Sequence, residues 1–104
     1  MRVLRDYLGT SVRLTDERLA HILDHPEMTG MEATIGETLL APEIVIQSRS
    51  DGQARLYYRS YTGTPVGEKL LCVVVKVLSG DAFVLTAYLT DRRKRGEVIW
   101  TAEP

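Results

Sequence analysis

Along the chain the spacing of apolar residues changes once, from a period near 3.6 before Pro42 to a period of two after it. Thr15, followed by Asp16 and Glu17, carries the signature of a helix start. Its hydroxyl can accept from orphan amides, and the two acids suit the positive end of the helix dipole. Leu19, Ile22 and Leu23 then share one stripe, and Pro26 ends the helix because the residue before proline avoids helical geometry. A second helix is predicted from about Met31 to Leu40, with Ile35, Leu39 and Leu40 buried and Ala41-Pro42 as its end.

Beyond Pro42 the signals are those of strands and tight turns. Ile44, Val45 and Ile46 open a strand, and Ser50-Asp51-Gly52 marks a hairpin. Residues 55–61 alternate, 62–67 read as a loop rich in glycine and proline, 70–78 as a β-branched strand, 79–81 as a turn, and 83–89 as the next strand. A short strand at 11–14 precedes the first helix. The expected fold is α+β, in the order β-α-α-β-β-β-β, with two N-terminal helices packed on one face of a four- to five-stranded, mainly antiparallel sheet. The chain reads as a single domain, with 1–10 as a lead and 91–104 as a basic tail that docks back through Trp100.

Alternation then sorts the strand residues between two faces. Phe83, Leu85, Ala87 and Leu89, together with Val73, Val75 and Val77, are assigned to the helices. That leaves Lys76, Thr86, Tyr88, Arg55, Tyr57 and Arg59 for one concave polar face.

The composition is that of one globular domain: 104 residues, 44% hydrophobic and 26% charged. A chain of this length can bury a core without disulfide or metal staples. The lone Cys72 excludes an internal disulfide and a cysteine-based zinc site. Flanked by Leu71 and Val73, it reads as an inert sheet thiol. The longest apolar run, residues 70–75, is far too short to span a bilayer, so no membrane partner is expected. Charges at Arg2, Arg5 and Asp6 occupy the place where a secretory signal needs apolar residues, and a reducing, cytoplasmic location is expected.

Net charge is only −1, yet it is unevenly spread. Residues 1–48 carry four basic against eight acidic side chains, a net −4, whereas 49–104 carry nine against six, a net +3. The second half can therefore present a basic face on a nearly neutral protein, which permits a phosphate-bearing partner.

Candidate chemistry follows from these placements. Lys76 interrupts an otherwise apolar strand, where an unpaired buried ammonium would be costly, although a half-exposed sheet routinely places a lysine on its wet side. His21 and His25 stack one helical turn apart, but no third ligand stands at matching spacing and no metal or other cofactor is expected. A histidine at the helix edge is suited to acid–base work near neutral pH. Arg92, Arg93, Lys94 and Arg95 form a basic run. Arginine forks hold phosphates, and tyrosine rings offer platforms for unpaired bases. No phosphate-cradling glycine loop, Gly-x-Ser-x-Gly elbow or carboxylate pair is present, which removes support for nucleotide hydrolysis and serine hydrolase chemistry.

Residues 13–27 (RLTDERLAHILDHPE), 37–45 (ETLLAPEIV), Tyr57-Tyr58-Arg59, 73–76 (VVVK) and 83–88 (FVLTAY) together resemble the small phage-associated nuclease-like domains grouped with barnase, EndoU, colicin and RelE ribonucleases. The resemblance covers most of residues 11–100 as scattered positions. It implies a metal-independent ribonuclease or toxin, without cofactor, that drives the RNA 2′-hydroxyl onto its own phosphate, and an inhibitor or antitoxin protein as partner. Under it His21 is acid or base, Lys76 and Arg59 stabilise charge, and Thr86 and Tyr88 orient phosphate or base. His25, Arg55, Tyr57, Arg92, Arg93, Lys94 and Arg95 then contact RNA. The alternative is a non-catalytic RNA- or protein-binding module on the same fold.

Overall fold

The computed structural model describes residues 1–102. Its elements are β1 (Arg2–Arg5), β2 (Ser11–Leu14), α1 (Asp16–Leu23), a single 3-10 turn (Pro26–Met28), α2 (Glu32–Leu40), β3 (Ile44–Gln47), β4 (Ala54–Thr64), β5 (Gly67–Leu78), β6 (Asp81–Thr90) and β7 (Glu97–Thr101). The α+β class stands, and the sheet differs from expectation. It has seven strands in the order β1-β2-β6-β5-β4-β3-β7, and it is mixed, because β2 runs parallel to β6 while the other pairs are antiparallel.

Both extra strands come from segments read as lead and tail. Residues 2–5 pair with β2 across a turn that Asp6 organises: its carboxylate accepts from the Leu8 and Thr10 amides, and Gly9 takes the left-handed conformation (φ 82°) that glycine tolerates. Residues 97–101 return to pair with β3. Charged residues at both ends of β1 and only one partly buried apolar side chain, Leu4, left its period of two undetectable. The predicted loop at 62–67 is also narrower than expected. β4 runs on to Thr64 and β5 begins at Gly67, leaving Pro65 and Val66 as the turn.

The helices form as their sequence dictates. The Thr15 hydroxyl accepts from the Arg18 amide, and Ile22 points into the core. In α2 the buried side is Ile35, Thr38 and Leu39, whereas Leu40, expected inside, is 60% exposed. One residue beyond Leu39 rotates about 100° around the axis, away from the sheet. The Thr38 hydroxyl is satisfied by the Thr34 carbonyl and by the Tyr61 hydroxyl, at 2.7 and 3.0 Å.

Ile22, Ile35 and Leu39 press on Val12, Leu14, Val45, Tyr57, Leu71, Val73, Val75, Val84 and Ala87, which is the main core. The sheet curls around it so far that opposite edges meet. Tyr7, after β1, lies with its ring centroid 4.5 Å from that of Trp100 on β7. Beneath them the buried Tyr57 hydroxyl donates to the buried Asp6 carboxylate at 2.9 Å. A second, smaller apolar cluster lies on the other side of the sheet: Ile44, Ile46, Leu56, Tyr58 and Cys72, with Leu70, Val74 and Tyr88 around them.

Candidate nucleic-acid interface

Strand register turns the helix-free side into cross-strand rows. Ile44, Tyr58, Cys72 and Tyr88 form one row, and Ile46, Leu56, Val74 and Thr86 the next, with Ala54, Lys76 and Phe83 beyond it. On the other flank of the tyrosine row lie Ser60, Leu70 and Thr90.

Residues 91–96 cross these rows. β6 and β7 are four strand spacings apart in the sheet, so the link between them must traverse β5, β4 and β3. The basic run is therefore a strap laid across the sheet, with bends at residues 91, 92 and 96, rather than a free loop. Its midpoint is fixed by the Lys94 amide, which donates to the Tyr58 hydroxyl at 2.9 Å. Its far end is fixed by close approach: a Cβ on Gly96 would lie 2.3 Å from the Gln47 carbonyl oxygen and 2.6 Å from Ile46 Cγ2, so only glycine fits. Lys94 Nζ stands 5.9 Å from the centre of the Tyr88 ring.

Under the strap the side chains are neutral. Burial pushes the Tyr58 phenol up to about 12, against which the Lys94 amide pulls it down. Burial, with Cys72 and Tyr58 alongside, also raises Tyr88, and burial raises the Cys72 thiol. Cys72 is thus a protonated thiol in the sheet, with no thiolate to act as nucleophile.

Above the strap the opposite holds. Arg92, Arg93, Lys94 and Arg95 are all exposed, and none is ion-paired among the described residues. Elsewhere Arg2 meets Glu32, Arg13 meets Asp81, Arg59 meets Glu37, Lys69 meets Asp91 and Lys76 meets Asp51. Lys76 is explained by its partner: Nζ lies 2.5 Å from Asp51 Oδ2, and this hydrogen bond is the main cause holding the Asp51 carboxyl below its ordinary range.

Comparison with protein-family models, with curated proteins and with solved structures finds no match. The site therefore rests on its own geometry.

That geometry brings together part of the expected set. Lys76, Thr86, Tyr88 and Arg92 to Arg95 share the helix-free side. Arg55, Tyr57 and Arg59, expected beside them, face the helices. Tyr57 is in the main core, while Arg59 Nη1 donates to the Ala41 carbonyl at 2.6 Å and its Nε lies 3.8 Å from Glu37 Oε1. His21 is exposed on α1, and His25 is exposed with Nδ1 3.6 Å from Glu27. The sheet thus separates both histidines from Lys76.

The inversion of β4 has a specific cause. Continuing the Thr64–Gly67 pair without interruption would set Tyr58 opposite Val73, facing the helices. A β-bulge between Tyr61 and Thr64 shifts the register by one and sets Tyr58 opposite Cys72. A second bulge, between Val74 and Val75, leaves Leu85 unpaired, so Val84 rather than Phe83 is buried against the helices. Phe83 instead lies under the Arg13 guanidinium, 5.3 Å from its ring centre. Two residues that build the site, Tyr58 and Gly96, were missed. A glycine closing a four-cation run, ahead of a short apolar segment, was the available signal for Gly96.

Proposed function

We propose that this domain is an RNA-binding module that holds single-stranded RNA along the strap. The observation that carries the reading is the anchored strap itself: four consecutive exposed cations without carboxylate partners among the described residues, fixed to the sheet at Lys94 and Gly96. A mobile basic tail would lose much of its contact energy in becoming ordered, whereas a strap already anchored offers its charges at low conformational cost. Arginine forks match phosphate oxygens bidentately, and release of condensed counterions supplies the free energy.

A cleavage mechanism built on His21 and Lys76 requires both at one phosphate, and the sheet stands between them. Binding requires only the strap. Fluorescence anisotropy with a labelled oligouridylate of about 15 nucleotides tests the reading. Replacing Arg92, Arg93 and Arg95 by alanine is expected to weaken binding by about tenfold or more at low salt, and His21→Ala to leave it unchanged. Equal affinity in the wild type and the strap variant, with both folded, overturns it.

A further inference from the structure

Strand register sets Phe83 beside Arg13 on β2 and Lys76 on β5, all on the helix-free side. Among the described aromatic side chains, Phe83 is the ring on that side that the strap leaves uncovered. Tyr58 is buried beneath the strap and Lys94 stands over Tyr88, while Tyr7, Tyr57, Tyr61 and Trp100 pack on the main core. The Arg13 guanidinium lies over the Phe83 ring, and its edge is already committed: Nε donates to Asp81 Oδ1 at 3.0 Å and Nη2 to Asp81 Oδ2 at 2.7 Å. This fork fixes the guanidinium plane and supplies its counter-charge, so what Arg13 still offers a ligand is the face of that plane. The Arg13 side chain remains 38% exposed, and a flat cation backed by an aromatic ring is thereby presented to solvent. The two flanks of the strap also differ in charge. Towards Ser60 the carboxylates of Glu43, Glu68 and Asp91 outnumber the Lys69 ammonium. Towards Phe83 lie Val74 and Thr86, with the balanced pairs Lys76–Asp51 and Arg13–Asp81. A polyanion held on the strap therefore leans towards Phe83.

Resting on the RNA-binding reading, we infer that Phe83 and the Arg13 guanidinium over it form a stacking platform for a nucleobase of the bound strand, which is held by its face rather than read at its edge. Unpaired bases stack on aromatic rings and on guanidinium planes, and every base has a π face to offer. The level of Tyr88, where Lys94 lies, is four residues of β5 from the level of Phe83, or about 13 Å. About four nucleotides cover that distance at the 3.4 Å spacing of a stacked strand, and fewer cover it when the strand is extended. One strand can thus engage the strap through its phosphates and the platform through a base.

The test separates bases from backbone by comparing oligouridylate with an abasic oligomer of the same number of ribose phosphates, at equal salt. The strap alone binds both equally. With the platform, wild-type protein is expected to bind oligouridylate about fivefold more tightly, the lower end of what one stacked base contributes, as suits the small uracil ring. Phe83→Leu keeps an apolar side chain and removes the ring, whereas Arg13→Lys keeps the charge and removes the plane. Each variant, shown to be folded by circular dichroism, is expected to bring the ratio close to one and to leave affinity for the abasic oligomer unchanged. A wild-type ratio near one, or a preference that either folded variant keeps, overturns the platform and leaves the strap reading intact. If neither oligomer binds, the strap reading falls and the platform with it.

Discussion

Gly96→Ala is the sharpest structural perturbation that the strap offers. The added methyl would sit 2.3 Å from the Gln47 carbonyl oxygen and 2.6 Å from Ile46 Cγ2, and Gln47 O is backbone of a paired strand. To reach ordinary van der Waals separation it must retreat by about 1 Å. A slack loop would absorb that displacement. Gly96 stands between two anchors only three residues apart, Lys94 and Glu97, so the displacement passes to them, to the β3–β7 pairing or to the bond from the Lys94 amide to Tyr58. Overpacking costs about 1–3 kcal/mol and a lost hydrogen bond about 1 more, giving roughly 2–4 kcal/mol. At about 5 °C per kcal/mol for a domain of this size, Tm falls by about 10–20 °C. Thermal unfolding followed by circular dichroism measures it, with Gly52→Ala as control, because a Cβ there meets nothing within 4 Å. If the two variants melt within about 2 °C of each other, the strap has slack and the reasoning is wrong.

Two further predictions concern the tyrosines. Tyr57→Phe removes the buried donor to Asp6, whose carboxylate keeps, among the described residues, the Leu8 and Thr10 amides. It should cost about 1.5–3 kcal/mol in urea unfolding, and a loss below about 0.5 kcal/mol would contradict the assigned role. All five tyrosines have raised phenol pKa values, chiefly through burial, with Tyr58 and Tyr61 at about 12 against an ordinary 10.0. Between those values the unfolded chain releases phenol protons that the folded chain keeps, so stability is fully present below pH 10 and falls as pH rises towards 12. Tyrosinate absorbance should therefore appear together with loss of secondary structure. Full ionisation near pH 10 in a folded protein would refute this.

Much of the fold is written locally. Thr15, Asp16 and Pro26 bound α1, and the β-branched run of β5 and the turn at 79–81 lie where periodicity places them. What escapes is what depends on register. Val73, Val74 and Val75 are apolar on both faces, and β4 carries a tyrosine on each face, so neither strand states which side is inside. The bulges at Tyr61/Thr64 and Val74/Val75 decide it: the first holds Gly63 (φ 71°), which in sequence reads as part of the loop at 62–67, and the second, at the unpaired Leu85, has no glycine to mark it. The site was legible as composition, in four cations and nearby tyrosines, and illegible as placement. Only the separation of β6 from β7 in the sheet converts that basic run into a strap over Tyr58 and Tyr88.

The central claim is that the four strap cations together engage phosphates. Its most direct test is the salt dependence of oligouridylate binding between 50 and 200 mM. With four contacts to a single strand, log affinity should fall against log salt with a slope of about −2.8, a loss of about 50-fold over that range. Alanine at Arg92, Arg93 and Arg95 leaves Lys94 alone and should reduce the slope to about −0.7. A wild-type slope near zero, or a slope that the folded triple variant leaves unchanged, would contradict the account.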